Sequence, residues 1–469
     1  MIRLFAIALL VSVAPFATAG GQEYPTGPEK LLLWQGFKFE EVTLLRENVA
    51  EFTKAWNASH PWPIEIEIAQ VPFNEMVRKL KSAALARRTP DMAFVDANAM
   101  VSLAFGNMAV ELDKLPNFPG GGIENFREAY VSGAFDTNVI TFRGEQHLYG
   151  IPAQTTTLAL FWNRKRFADK GPELRAAGLD PTRAPRDWDE FIQYGKILTE
   201  PAKGLYGFGM NNSLWFTMPF FNQYGTTPVR RRADGMLEAA FATKSGEAAL
   251  SRKANFYLRD GIEAGAWREG SMDPDQGFAN EKYAMVLTGP WMIDQFRGGG
   301  LDFGVAMIPR VPLEEAKQLG IVPQDATEES TSTEQLSAGN IGGQNLVVVR
   351  KTRYADIAFQ FALYFTSEPV QRLWAERLGQ IPVLKSAQQG LDLSSFPEVP
   401  TFIRQINLAK PLPPLPFGAA LETEIANPEM NLVLQGKQSV SQALKNIDGV
   451  ITRRILTPVN HAELSARER

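Results

Sequence analysis

The sequence predicts an α/β protein of two units, each built on a doubly wound, mostly parallel sheet. Three observations carry that reading. From Leu31 to Val95, short apolar runs alternate with segments of helical periodicity in the order β-α-β-α-β. Under the right-handed crossover rule, that order gives a parallel sheet covered by helices on both faces. A second series of strand and helix signals begins near Tyr149-Gly150-Ile151-Pro152, and a chain of 469 residues has room for two or three folding units.

The elements follow in order. Leu31-Leu32-Leu33-Trp34 is a strand that ends in Gln35-Gly36. Val42, Leu45, Val49, Phe52 and Trp56 fall at helical steps, and Ile64, Ile66 and Ile68 alternate with Glu65 and Glu67 as a strand with one buried face. Val77, Leu80 and Ala84 mark a helix before Pro90-Asp91 and the strand Met92 to Val95. Ligands of such sheets bind beyond the carboxyl ends of the strands, here Trp34-Gln35-Gly36-Phe37 and Asp96-Ala97-Asn98.

In the second unit, Leu158 to Trp162 reads as a strand, and Asp187 with Glu190 forms a capping-box variant at a helix start. Met285-Val286-Leu287 is apolar, Pro290 suits a first helical position, and Phe303 to Ala306 is a strand. Pro323 to Asn340 reads as a mobile surface loop. Val347 to Val349 is a strand, followed by a helix through Ile357, Phe361 and Tyr364. A further helix has Ser367 as its cap and Gly379 just past its end. Pro411 to Pro416 reads as an extended polyproline strap.

Arg3, the apolar run Leu4 to Val13 and Ala17-Thr18-Ala19 read as a signal peptide over residues 1–19, cut after Ala19. That expectation places the protein in a periplasm-like space, with full secretion as the alternative. The sequence has no cysteine, which excludes disulfides, cysteine-ligated zinc, iron–sulfur clusters, a cysteine nucleophile and a lipid anchor on an N-terminal cysteine. Net charge is −4 with no basic block, so neither nucleic acid nor an anionic membrane is an expected partner. Arg230-Arg231-Arg232 reads as a solvated turn.

Enzyme signatures are missing. His60, His147 and His461 are scattered, and no metalloprotease, nucleophile-elbow, P-loop or dinucleotide fingerprint occurs. Asp187, Asp189 and Glu190 serve helix capping, and Asp273 and Asp275 flank a proline turn. No catalytic residue, metal or cofactor is expected, and a secreted carbohydrate hydrolase is the leading enzyme alternative.

Several pieces, taken in order, resemble the family 1 extracellular solute-binding proteins, the sugar-binding subunits of ABC importers that include maltose-binding protein. They are Leu33-Trp34 before a helix through Phe52, Pro90-Asp91 before a strand, Tyr149-Gly150-Ile151-Pro152 with Phe161-Trp162-Asn163, Trp188-Asp189-Glu190-Phe191, Ala284-Met285 with Gly289-Pro290-Trp291, and Gly342-Gly343. The resemblance implies a class II periplasmic-binding-protein-like fold: two lobes, a hinge of several crossings and a ligand between them. Carried onto this sequence, the crossings fall near Ile151 to Thr157, Met285 to Thr288 and Gly343 to Val347. Lobe I would then hold residues 20–153 and 288–343, and lobe II residues 154–287 and 344–469. It also implies a monomer that delivers a sugar, oligosaccharide or polyol to ABC importer membrane subunits, or that serves a chemoreceptor.

A sugar needs aromatic plates for its C–H face and paired donors and acceptors for its hydroxyls. Trp215 and Phe216, in the polar loop after Asn211-Asn212-Ser213, suit the plate role. Trp291 fits a core anchor as well as a plate, and Trp34 and Phe37 lie at a strand end where structural roles compete. The polar candidates are Gln35, Asp96, Asn98, Gln154, Thr155, Thr156, Gln344 and Asn345, with Gly343 allowing close backbone approach. Asp96 is also placed to cap the next helix, and Gln344-Asn345 suits an ordinary hinge turn.

Overall fold

The computed structural model describes residues 28–37, 40–142, 145–412 and 420–461. The expected signal peptide and Pro413 to Pro416 lie outside the described residues. Among these, nine strands build two main sheets: β1 (Glu29–Gln35), β2 (Ile64–Gln70), β3 (Met92–Asp96), β4 (Ile151–Thr156), β5 (Ala159–Asn163), β6 (Tyr206–Gly209), β7 (Tyr283–Thr288), β8 (Phe303–Ala306) and β9 (Gly342–Val348). The helices that matter here are α1 (Glu40–Ser59), α2 (Met76–Leu85), α3 (Trp188–Ile197), α4 (Leu214–Gln223), α5 (Lys244–Leu258), α6 (Ala355–Phe365), α7 (Glu368–Leu378), α8 (Val399–Asn407) and α9 (Val440–Ile451).

Local chemistry sets most of these elements. In β2, Ile64 and Ile66 are buried while Glu65 and Glu67 are exposed, as strand alternation requires. Asp187 caps α3, its Oδ1 accepting the N–H groups of Asp189 and Glu190 at 3.0 and 2.8 Å. Gly379 ends α7 in the left-handed region at φ +66°. The residues Pro323 to Asn340 depart from the expected mobile loop. Ala326 and Leu336 are buried in the second core and Ala338 is fully buried, which pins the segment down.

The first sheet has the order β2-β1-β3-β9-β4 and the second β8-β5-β7-β6. Both are mixed rather than mostly parallel. β1 runs parallel to β2 and β3, but β9 is antiparallel to β3 and β4. In the second sheet only β7 and β6 are parallel. Each sheet anchors its own aromatic core. Phe37, Phe94, Phe361 and Trp374 pack in the first; Trp188, Phe191, Phe208 and Phe220 pack in the second.

The strands divide the chain differently from the expected lobes. β8, assigned from sequence to the first lobe, pairs with β5 of the second sheet. β9, whose residues from 344 on were assigned to the second lobe, lies between β3 and β4 of the first. The physical reason is pairing: Val348 and Val347 stand opposite Met92 and Ala93, and β9 fills the gap that the first sheet would otherwise leave. Helices α6 and α7 follow β9 and bury Phe361, Phe365 and Trp374 in the first core. Helix α8 then packs Phe402 on Phe161 of β5, with ring centroids 5.9 Å apart.

The crossings shift accordingly. The chain leaves the first sheet after Thr156 and enters the second at Ala159, as the first expected crossing has it. Met285 to Thr288 is not a crossing, because β7 is held on both sides within the second sheet. The return comes at Ile341-Gly342, where the Ile341 N–H donates to the Lys410 carbonyl at 3.1 Å. A third crossing lies between Val383, whose carbonyl accepts the Val131 N–H at 2.9 Å, and α8.

Gly343, next to the return crossing, has φ +136°, and a methyl group there would lie 2.1 Å from the Gln154 carbonyl oxygen. Gly343→Ala is expected to cost 1–3 kcal/mol, roughly, from backbone strain before the clash is added. A melting temperature equal to wild type would disprove that.

Candidate ligand-binding site

The carboxyl ends of β1, β3 and β4 and the antiparallel start of β9 share one edge of the first sheet. Along it runs a polar row. Gln344 stands opposite Asp96 on one side and Gln154 on the other, so neighbours in the register share a face. The Gln344 Nε2 donates to Gln154 Oε1 at 3.0 Å, and Gln154 Nε2 donates to Gln380 Oε1 at 2.6 Å. Gln380 in turn donates to Glu41 at 3.0 Å. The Gln344 Oε1 receives no hydrogen bond although the residue is only 8% exposed, and the buried Thr156 Oγ1 is likewise without a partner.

Asp96 closes the row. Its Oδ1 accepts the Asn98 N–H at 2.8 Å, capping a short 3-10 turn. Burial pushes its carboxyl up to about 6, the Asn98 N–H pulls against that rise, and the Glu422 carboxylate of the second lobe adds to it. Glu422 sits on the helical turn Leu421–Ala426, which packs through Leu421 and Ile425 on the second core.

The second lobe supplies the aromatics. Ser213 caps α4, and Trp215 and Phe216 occupy its first turn, half-buried. The Trp215 N–H donates to Glu422 Oε1 at 3.3 Å, and its carbonyl accepts from Asn340 Nδ2 at 2.9 Å. A methyl group on Gly342 would come within 3.0 Å of the Trp215 ring, so this ring lies against the return crossing into the first sheet. Trp291 stands 5.9 Å away, centroid to centroid, and is 45% exposed. The Trp215 ring of one lobe thus adjoins the strand that carries the polar row of the other, with Trp291 beside it.

Not every sequence candidate belongs to this arrangement. Phe37 is 1% exposed and lies inside the first core. Gln35 is equally buried. Its Nε2 donates to Gln70 and its Oε1 accepts the Phe37 N–H, both at 2.6 Å, which fixes the turn after β1. Trp34 packs beside Val71, Met76 and Leu80 under α2. Asn345 follows the slip in pairing after Gln344, is 1% exposed, and donates to Thr137 Oγ1 at 3.0 Å. Thr155 is fully buried. Contacts connect Asp96, Asn98, Gln154, Thr156, Gly343 and Gln344 along the row, and Trp215 with Phe216 and Trp291, the two groups meeting at Gly342. The structure leaves Trp34, Gln35, Phe37, Thr155 and Asn345 within the first lobe. Sequence reasoning passed over Glu41, Asn340, Gln380 and Glu422; only Asn340, just before the paired glycines, carried a local signal.

Among the described residues, no group of His, Cys, Asp and Glu is arranged to hold a metal ion, and no helix is long and apolar enough to cross a membrane. Residues 47–401 match the model of the bacterial extracellular solute-binding protein family. The chain belongs to that family. Its members are binding proteins that work outside the cytoplasm. Among relatives of this solute-binding protein, the galactooligosaccharide-binding protein of Bacillus subtilis (strain 168) is 20% identical over 441 residues, covering 93% of this chain and 91% of that one. The sn-glycerol-3-phosphate-binding periplasmic protein UgpB of Escherichia coli (strain K12) is 25% identical over 321 residues, 64% of this chain and 65% of that one. The maltotriose binding protein of Thermus thermophilus, solved with maltotriose, superposes with a TM-score of 0.67 at 22% identity, covering 90% of this solute-binding protein and 99% of that structure.

Proposed function

We propose that this solute-binding protein captures a sugar or oligosaccharide between its lobes and presents it to the membrane subunits of an ABC importer, as a monomer, in the periplasm and without chemical change. The observation that carries this reading is the pairing of Trp215 and Trp291 on one lobe with the row Asp96-Gln344-Gln154 on the other. Aromatic faces stack on the C–H face of a sugar, and amide and carboxylate groups bond its hydroxyls. Because the two halves of the site belong to different lobes, ligand completes its contacts only when the lobes close. It then draws an existing open–closed equilibrium toward the closed form.

Trp215→Ala tests the assignment. Removing a central aromatic contact is expected to cost about 2 kcal/mol of binding, roughly 30-fold in Kd, with little change in melting temperature. Titration calorimetry with the best sugar from a thermal-shift panel reads it, and an unchanged Kd removes Trp215 from the site. Chromatography of the sugar after incubation covers the other reading, since cleaved product would mark a hydrolase.

A further inference from the structure

We propose that the ligand is an amino sugar or amino-oligosaccharide, whose ammonium group lies between Asp96 of the first lobe and Glu422 of the second. This rests on the sugar-capture reading and narrows it to a cationic class.

A chain of contacts links the two carboxylates across the lobes, and the Glu422 charge acts on Asp96. Glu422 accepts the Trp215 N–H, the Trp215 ring lies against Gly342, and Gln344, two residues on, stands opposite Asp96. Neither carboxylate has a cation within ion-pair distance among the described residues. Lys253 senses Glu422 but makes no ion pair with it; it is 2% exposed and gives two of its N–H groups to Asn212 Oδ1 and Thr217 Oγ1 at 3.2 and 2.5 Å. One Glu422 oxygen serves the first turn of α4. That turn is already served by Ser213, and by Asn427, which accepts the Leu214 N–H at 2.7 Å.

An independent observation points the same way. The Gln344 side chain is more than nine-tenths buried, lies beside Asp96, and commits its amide N–H to Gln154 while its Oε1 goes unmatched. Asn340 Oδ1, also buried, likewise lacks a donor. Gln344 Oε1 and Asn340 Oδ1 are thus amide acceptors without a donor. A buried acceptor left unpaired costs about 1–3 kcal/mol. A sugar hydroxyl brings one donor along with two acceptor lone pairs, whereas an ammonium brings three donors, no acceptor and a charge opposite to both carboxylates. A phosphate brings only acceptors and like charge, which this pair repels.

The test is titration calorimetry of the wild-type protein with matched probes: glucosamine and galactosamine oligomers, their N-acetylated forms, the neutral oligomers maltotriose, cellotriose and galactotriose, and glycerol 3-phosphate. The amino oligomers are expected to bind at least tenfold more tightly than their acetylated and neutral counterparts, and glycerol 3-phosphate not at all. Glu422→Gln keeps an acceptor for the Trp215 N–H and is expected to shrink the amino-to-neutral ratio below threefold. Asp96→Asn, which keeps the cap, is expected to do the same. Neutral oligomers binding as tightly as amino ones would overturn the inference and leave sugar capture standing. Tight glycerol 3-phosphate binding with no response to any sugar would overturn both. The wild-type comparison decides the matter even if a variant does not fold.

Discussion

Phe37→Ala is expected to lower folding stability by roughly 3–5 kcal/mol and to leave ligand affinity unchanged. The ring is 1% exposed and packs edge-on to Phe94 at 4.8 Å and tilted against Trp374 at 5.2 Å. Trp374 is itself tied to α1, its Nε1 donating to Asn48 Oδ1 at 2.7 Å. One ring thus joins the end of β1 to α1, β3 and α7. Truncation opens a cavity where those elements meet, and the rings around it are too constrained to collapse into it. Urea unfolding measures the loss. A variant as stable as wild type but weak in binding would return Phe37 to the ligand site, where its sequence position first put it.

The second large effect concerns Lys253. It lies on α5, almost wholly buried, and burial pushes its ammonium down to about 7 against the opposing pull of Glu263 and Glu422. The folded pKa lies below the unfolded value of 10.5, so between about 7 and 10.5 the unfolded chain holds more protons. Stability therefore rises with pH across that window and falls as pH drops toward 7. A tenfold difference in proton affinity between the folded and unfolded chain is worth ~1.4 kcal/mol, so the change is expected to reach a few kcal/mol. Lys253→Met should flatten the dependence and raise the melting temperature near pH 7. Subtracting the two melting profiles between pH 7 and 9.5 isolates the group, and a wild-type profile no steeper than that of the variant would refute the assignment.

Local patterns in the sequence carry most of the elements. The Ile-Glu alternation of β2, the Asp187 cap and the left-handed Gly379 each follow from a few adjacent residues, and each stands where expected. Sheet membership does not follow from neighbours in sequence. An apolar run such as Leu346-Val347-Val348 announces a strand but not its partners, and β9 pairs with residues some 190 to 250 positions earlier. The same limit explains the misplaced crossing at Met285 to Thr288. Those residues read as a change of lobe, yet they form a central strand buried on every side.

The polar candidates divide for a related reason. Gln35 and Asn345 carry the amides a sugar site needs, but each bonds inside its own lobe. Residue type cannot distinguish a buried amide that holds a turn from one that waits for a ligand. Glu422 illustrates the converse. A glutamate on a helical turn has the pattern of a solvated face, and only the approach of Gly342 and Trp215 reveals what it faces.

The placement of β9 also sets an order of assembly. In a chain made from its N-terminus, β5 to β8 all emerge before β9 does. The second sheet then has its full set of strands while the first still lacks the one between β3 and β4. Until Gly342–Val348 arrives, the inward edges of β3 and β4 expose unpaired N–H and C=O groups, so the sheet whose strands begin first is the last to be completed.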